Sequence, residues 1–228
     1  MSTPTTPPQP PVASALASLQ QGVMAAQAPN LVPSAAPVII GVSKGQPAAR
    51  VMEGLTAGLT DIGENKVQEA QAKWPAVKAA YPAARLHLIG PLQSNKAADA
   101  VALFDVIQTV DRPKIIDVLA AEMAKQGRRP HLLVQVNTGE EPQKAGVVPQ
   151  GLEALLRHAE AAGLRMDGLM CVPPAGVNPA PHFALLQKLA RRHGLALLSM
   201  GMSSDYATAV RFGATHIRVG TALFGERG

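Results

Sequence analysis

The feature that most constrains this chain is a rhythm. Short runs rich in β-formers alternate with longer runs of helical periodicity, and the strand-like runs number eight. They fall at 38–42, 61–63, 85–89, 106–110, 132–136, 166–170, 196–199 and 216–219. Helical patterns fill the intervals at 48–59, 67–81, 96–104, 113–126, 150–162, 181–193 and 205–212, with Pro47 near a helix start and Gly163 and Gly194 after helix ends. Strands that each feed a helix before the next strand are βαβ units, and such units build parallel sheets. An open, doubly wound sheet satisfies the pattern, but eight is the number that closes a (β/α)₈ TIM barrel. The expectation is a single α/β barrel over residues 13–228, lean at roughly 24 residues per unit. A further Ala-rich helical pattern at 14–27 precedes the first strand, and little chain follows the eighth. That helix is expected to cover the gap where an eighth helix would pack. Residues 1–12 are rich in Pro and Thr, with no pattern able to bury a face, and read as a disordered or polyproline-like tail.

Composition narrows the function. Hydrophobic residues make up 47% and charged residues 16%, which excludes a wholly disordered chain. Aromatics are only 3%, so few rings are left to stack single-stranded nucleic acid. The net charge of +5 is spread thinly; Arg128-Arg129 and Arg191-Arg192 are isolated pairs. No nucleic-acid partner is expected, and the positive excess suits a small anionic ligand. The one cysteine, Cys171, excludes an intramolecular disulfide and a cysteine-cluster zinc site. The six histidines show no metal-binding spacing, so no metal is expected. The start has no secretory pattern and no run is long enough to span a bilayer, so a soluble cytoplasmic protein with no membrane contact is expected.

Polar residues recur where the strands end, which is where barrel chemistry sits. Strand one ends in Ser43-Lys44 and strand two leads into Glu64-Asn65; strand seven runs into Met200-Gly201-Met202-Ser203, and strand eight through Arg218 to Gly220-Thr221. Loops after strands seven and eight of a barrel often bind phosphate. Ser203 and Thr221 offer hydroxyls there, and Gly220 lets a backbone approach an anion; a plain helix cap and a tight turn are the competing readings. Lys44 directly follows the apolar run Val38 to Val42. A lysine at a barrel mouth can form a Schiff base with an aldehyde, or pair with a nearby carboxylate such as Glu64. An amine beside a phosphate site suggests an aldehyde that carries a phosphate, and pyridoxal phosphate has both groups. Arg218 then acquires meaning. Many pyridoxal-phosphate enzymes set a carboxylate against the pyridine nitrogen; a guanidinium there disfavours ring protonation. A structural arginine paired with a carboxylate is the alternative.

These stretches resemble a known family. VSK at 42–44, GENKVQE at 63–69, HLIGPLQSNK at 87–96, QVNTGEEPQKAGV at 135–147, GLMCVP at 168–173, SMGMSSD at 199–205 and RVGTALFG at 218–225 are similar to the pyridoxal phosphate homeostasis proteins, relatives of the alanine racemase N-terminal barrel. The resemblance implies a fold-type III barrel without the racemases' second β domain. It implies pyridoxal 5′-phosphate on Lys44, phosphate contacts from Ser203, Gly220 and Thr221, Arg218 toward the pyridine nitrogen, and Asn65 and Met200 lining the pocket. It also implies a non-catalytic carrier and regulator of vitamin B6 and amino-acid pools, monomeric or weakly dimeric, with pyridoxal-phosphate-dependent apo-enzymes as partners. The related racemases need a lysine and a tyrosine as opposed bases. Only Tyr81 and Tyr206 are present, and of these Tyr206 lies near the mouth in sequence. A single-domain racemase or lyase and a sugar-phosphate barrel enzyme are the rival readings. Lys144 is a candidate second aldehyde acceptor or an exposed loop lysine, His87 reads as a packed core histidine, and Cys171 as a buried inert thiol.

Overall fold

A computed structural model describes residues 11–27 and 35–225. Eight parallel strands close on themselves in chain order: β1 (Val38–Val42), β2 (Asp61–Glu64), β3 (Arg85–Leu88), β4 (Val106–Val110), β5 (His131–Val136), β6 (Gly168–Cys171), β7 (Leu197–Ser199) and β8 (His216–Val219). β8 returns to β1 with Val38 opposite His216 and Ile40 opposite Arg218. Closure leaves no free sheet edge. The crossovers are α2 (Ala48–Thr56), α3 (Val67–Ala80), α4 (Ala97–Leu103), α5 (Pro113–Gln126), α6 (Leu152–Ala161), α7 (Ala180–Arg192) and α8 (Tyr206–Arg211). The open-sheet alternative is therefore excluded.

Some boundaries differ from the sequence pattern. β6 runs over Gly168–Cys171, not 166–170. Its first residue lies so close to the Leu197 carbonyl of β7 that any Cβ would collide with it, so strand pairing begins at the glycine. A short α9 (Thr221–Phe224) follows β8 where no helix was expected. A single turn is too short to show periodicity. Residues 1–10 of the expected tail lie outside the described residues, and Val12 is buried as the first residue of α1 (Val12–Gln27).

α1 explains how so short a chain closes the barrel's outer layer. Val12, Leu16, Leu19, Val23 and Ala26 recur at helical spacing and are all buried. They face α8, α9 and α2, so α1 occupies the place left by the four-residue α9.

Inside the barrel the residue types change. Period-two alternation along each strand sends one set of side chains outward under the helices and the other inward. Val106, Leu133 and Met170 form a small apolar cluster separate from the main core. Ile40, in register with Asp61 and Arg218, is also fully buried there, and beside it the interior is polar: Asp61, His87, Gln108, Ser199, His216 and Arg218 are all buried. Among them, burial together with neighbouring His87 and arginine charges pushes the His216 imidazole down to about 4.

Two outcomes test this arrangement. Leu16→Ala and Leu19→Ala should each lower the unfolding free energy by about 2–4 kcal/mol in urea titrations; unchanged midpoints would mean that α1 does not complete the outer layer. His216 is depressed below its unfolded value of 6.5, so its contribution is present above that value and lost as pH falls through about 4. Between pH 7 and pH 4 the wild type should lose on the order of 3 kcal/mol more than His216→Asn; parallel pH curves would refute the assignment.

Candidate functional site

The mouth is built from the inward set of residues as it leaves the strands. Val42 and Lys44 from β1, Ile89 after β3, Val172 after β6 and Arg218 and Gly220 from β8 share the inward phase and line one cavity. Gln46, Asn65, Met202, Ser203, Thr221 and Gly225 complete a space of about 320 Å³. That is at the small end of ligand pockets. Six of the seven expected residues, Lys44, Asn65, Ser203, Arg218, Gly220 and Thr221, are thus brought together. Met200 is not. Ser199 points into the barrel, so its neighbour points out, and Met200 is fully buried in the outer core. Met202, two residues on, takes the position at the cavity. Strand parity gave no signal for it: β7 ends at Ser199, and Met202 lies in the loop beyond.

Lys44 is held through its neighbours. Ser43 Oγ donates to Glu64 Oε1 at 2.5 Å, the Gly45 amide donates to Glu69 Oε1 at 2.6 Å, and Lys73 Nζ donates to the Ser43 carbonyl at 2.8 Å. Lys73 also pairs with Glu64 at 2.6 Å and with Glu69 at 3.3 Å. The sequence offered Glu64 as a partner for Lys44. Instead Glu64 points outward to α3, and among the described residues no carboxylate pairs with Lys44. Burial raises the Glu64 carboxyl above its usual range, against the opposing pull of Lys73 and Ser43, and its Oε2 is buried without a partner. Asn65 is positioned from β3: Gly90 packs so closely on the Asn65 carbonyl that a Cβ has no room.

Arg218 is 4% exposed. One amino group donates to Ser199 Oγ at 2.7 Å and the other to the Cys171 carbonyl at 2.8 Å. The carboxylate-paired alternative is not found: among the described residues no ion pair joins Arg218 to an acid. Burial depresses its pKa, yet a guanidinium remains charged at any physiological pH. The cavity is therefore lined by two cations and no acid.

The remaining candidates lie elsewhere. Tyr206 does not line the cavity; its hydroxyl packs against Gly22 of α1. Tyr81 shares a 2.5 Å hydrogen bond with Thr56. Lys144 is half-buried, paired with Glu141 at 2.6 Å and donating to the Pro173 carbonyl at 3.2 Å. Cys171 is buried in the outer core, where burial pushes its thiol up to about 12. A second, wider cleft of about 800 Å³ continues from Lys44 and Asn65 to Lys66, Gln93 and Lys96.

The clamp behind Lys44 makes a prediction. Lys73 and Glu64 side chains are 10% and 2% exposed, so Lys73→Met strands a buried acid. It should cost about 3–5 kcal/mol in chemical denaturation, and Glu64→Leu in the same chain should restore most of the loss. A double variant no more stable than Lys73→Met would show that the two residues do not act as a pair.

With the geometry in place, known proteins can be compared. Residues 23–228 match the alanine racemase N-terminal domain. A pyridoxal phosphate homeostasis protein of Pseudomonas aeruginosa is 43% identical over 196 residues, covering 83% of this chain and 84% of that one. The Bos taurus protein of the same name is 34% identical, covering 92% and 83%. The solved structure of PipY from Synechococcus elongatus with PLP bound is 39% identical, covers 94% of this chain and 100% of its own, and superposes with a TM-score of 0.81. The form without PLP gives 0.83. D-threo-3-hydroxyaspartate dehydratase from Delftia, at 17% identity and a TM-score of 0.68, shares the fold. The chain belongs to the alanine racemase N-terminal domain family, among its pyridoxal phosphate homeostasis proteins.

Proposed function

We propose that the cavity takes pyridoxal 5′-phosphate and that the protein holds this cofactor for cellular vitamin B6 and amino-acid homeostasis without robust turnover. One observation carries the reading. Lys44 and Arg218 line a single cavity together with the hydroxyl residues Ser203 and Thr221, and none of its lining residues is acidic. That donor set fits the group: an amine for the aldehyde, hydroxyls and the Gly220 backbone for the phosphate, and a guanidinium for the ring nitrogen. The PLP-bound PipY relative supports the same ligand.

When bound, such a cofactor supplies an aldehyde that joins amines and a ring that withdraws electrons from them. The chain's residues restrain the second property. Arg218 would offer only donors to the ring nitrogen, which would disfavour its protonation and leave the ring a poor electron sink. A second base opposite Lys44 is also wanting among the lining residues, since neither tyrosine is one of them. Holding the cofactor, rather than turning over amino acids, follows. The open cleft beyond Lys44 gives the bound aldehyde a route to amines and to apo-enzymes that accept the cofactor. The reading is of a cytoplasmic protein, monomeric or weakly dimeric.

The test is spectroscopic. Purified protein mixed with pyridoxal phosphate should turn yellow, and borohydride reduction followed by peptide mapping should place the pyridoxyl label on Lys44. Lys44→Ala should stay colourless. Label on Lys144 alone, or none, overturns the site; sustained racemisation or elimination of an amino acid by the wild type overturns the carrier reading.

A further inference from the structure

A chain of five buried side chains crosses the barrel interior. Arg218 donates to Ser199 Oγ at 2.7 Å, and Ser199 donates to Gln108 Oε1 at 2.6 Å. Gln108 Nε2 lies 3.0 Å from His87 Nδ1, and His87 Nε2 lies 2.7 Å from Asp61 Oδ1. The links join β8, β7, β4, β3 and β2, so the chain spans from the mouth to the start of β2.

We infer that Asp61 is the remote counterion of Arg218 and that the chain between them fixes the guanidinium at the mouth. The two ends dictate the direction of every proton. A guanidinium can only donate. Ser199 must therefore accept from Arg218 and give its single proton to Gln108. Gln108 must turn its oxygen to Ser199 and its NH₂ to His87. His87 must keep Nδ1 bare and carry its proton on Nε2, aimed at Asp61, which as a carboxylate can only accept. Positive charge at one end and negative at the other polarise every bond the same way.

The surroundings agree. Burial keeps His87 neutral. Burial alone would raise the Asp61 carboxyl, but hydrogen bonds from His87 and Thr60, with the charge of Arg85, outweigh it and hold Asp61 ionised. Arg85 lies 3.8 Å away, Thr60 Oγ1 donates at 2.6 Å, and the His216 ring centroid is 6.1 Å from that of His87. Asp61, His87, Gln108 and Ser199 touch no part of the cavity and act through Arg218 as positioning residues. Asp61→Asn removes the obligate acceptor. His87 can then take the other tautomer, Gln108 can turn over, and Ser199 loses its proton acceptor beside the arginine.

The chain can be read by ¹⁵N NMR on the cofactor-free protein. Wild-type His87 should be neutral with its proton on Nε2, and Arg218 should show separate, slowly exchanging Nη signals. Asp61→Asn should change the His87 tautomer and merge the Arg218 signals, and Ser199→Ala should merge them too. In the double variant the change should equal that of one substitution. A proton on Nδ1 of wild-type His87 overturns the inference without any variant. So do unchanged Arg218 signals in either substitution. The consequence for the cofactor rests on the proposed function: both variants should weaken pyridoxal-phosphate binding about tenfold or more and move the pH midpoint of the bound absorption band. If the Arg218 signals respond but no cofactor binds Lys44, the chain stands and the ligand reading falls.

Discussion

Closing eight strands into a barrel forces every second side chain into a space with no lateral exit. Whatever occupies that space must be apolar or must find its partners inside. This chain divides the interior. Val106, Leu133 and Met170 fill one side with carbon, while on the other Asp61, His87, Gln108, Ser199 and Arg218 form a hydrogen-bonded polar network beside the buried Ile40. A buried guanidinium is costly unless its donors are met, and here Ser199 and the Cys171 carbonyl meet two of the five. The fold and the site thus share one constraint. The residue that faces the cavity is also the end of the network that keeps the interior hydrogen-bonded.

The outer side of the same strands handles a separate problem, the placing of Lys44. Its amine has no carboxylate partner among the described residues, yet the backbone on both sides is tied to α3 through Glu69 and Lys73. The two arrangements are divided by strand parity. Asp61 and Glu64 stand three apart on β2, so one faces inward toward His87 and the other outward toward Lys73. One four-residue strand serves both the throat and the loop that carries the lysine.

Much of this was legible in the sequence because barrel chemistry is local to strand ends. Lys44, Asn65, Ser203, Arg218, Gly220 and Thr221 could be read from motifs that directly follow or close their strands, and the cavity gathers them. Met200 shows the limit of such reading. Its motif was right, but pocket against core is decided by phase, and the phase of a three-residue strand is fixed only by what its neighbour Ser199 touches across the barrel. Tyr206 is similar: its place next to the SMGMSS loop says nothing of direction, which is set by Gly22 far away in sequence. The interior chain was not legible at all. Ser199 and Gln108 lie 91 positions apart, Gln108 and His87 another 21, and no short pattern joins them. His87 alone read as a packed core histidine, which it is; its two partners come from other strands.

The choice of arginine at position 218 ties these strands of argument together. Under the proposed function, a carboxylate there would accept from the ring nitrogen and favour its protonation. It would also place a second anion in a barrel whose interior already holds Asp61, where His87 and His216 are neutral and Arg85, 3.8 Å from Asp61, is already engaged. The guanidinium balances Asp61 and presents only donors outward. Under the proposed function, the charge that makes the barrel interior internally consistent is therefore the same charge that would weaken a bound pyridine ring as an electron sink. Exchanging it for an acid would require the polarity of four further buried residues to reverse. On the proposed reading, restraint on catalysis would then be a property of the folded interior as a whole, and a single substitution at the mouth would be a poor route to an active enzyme.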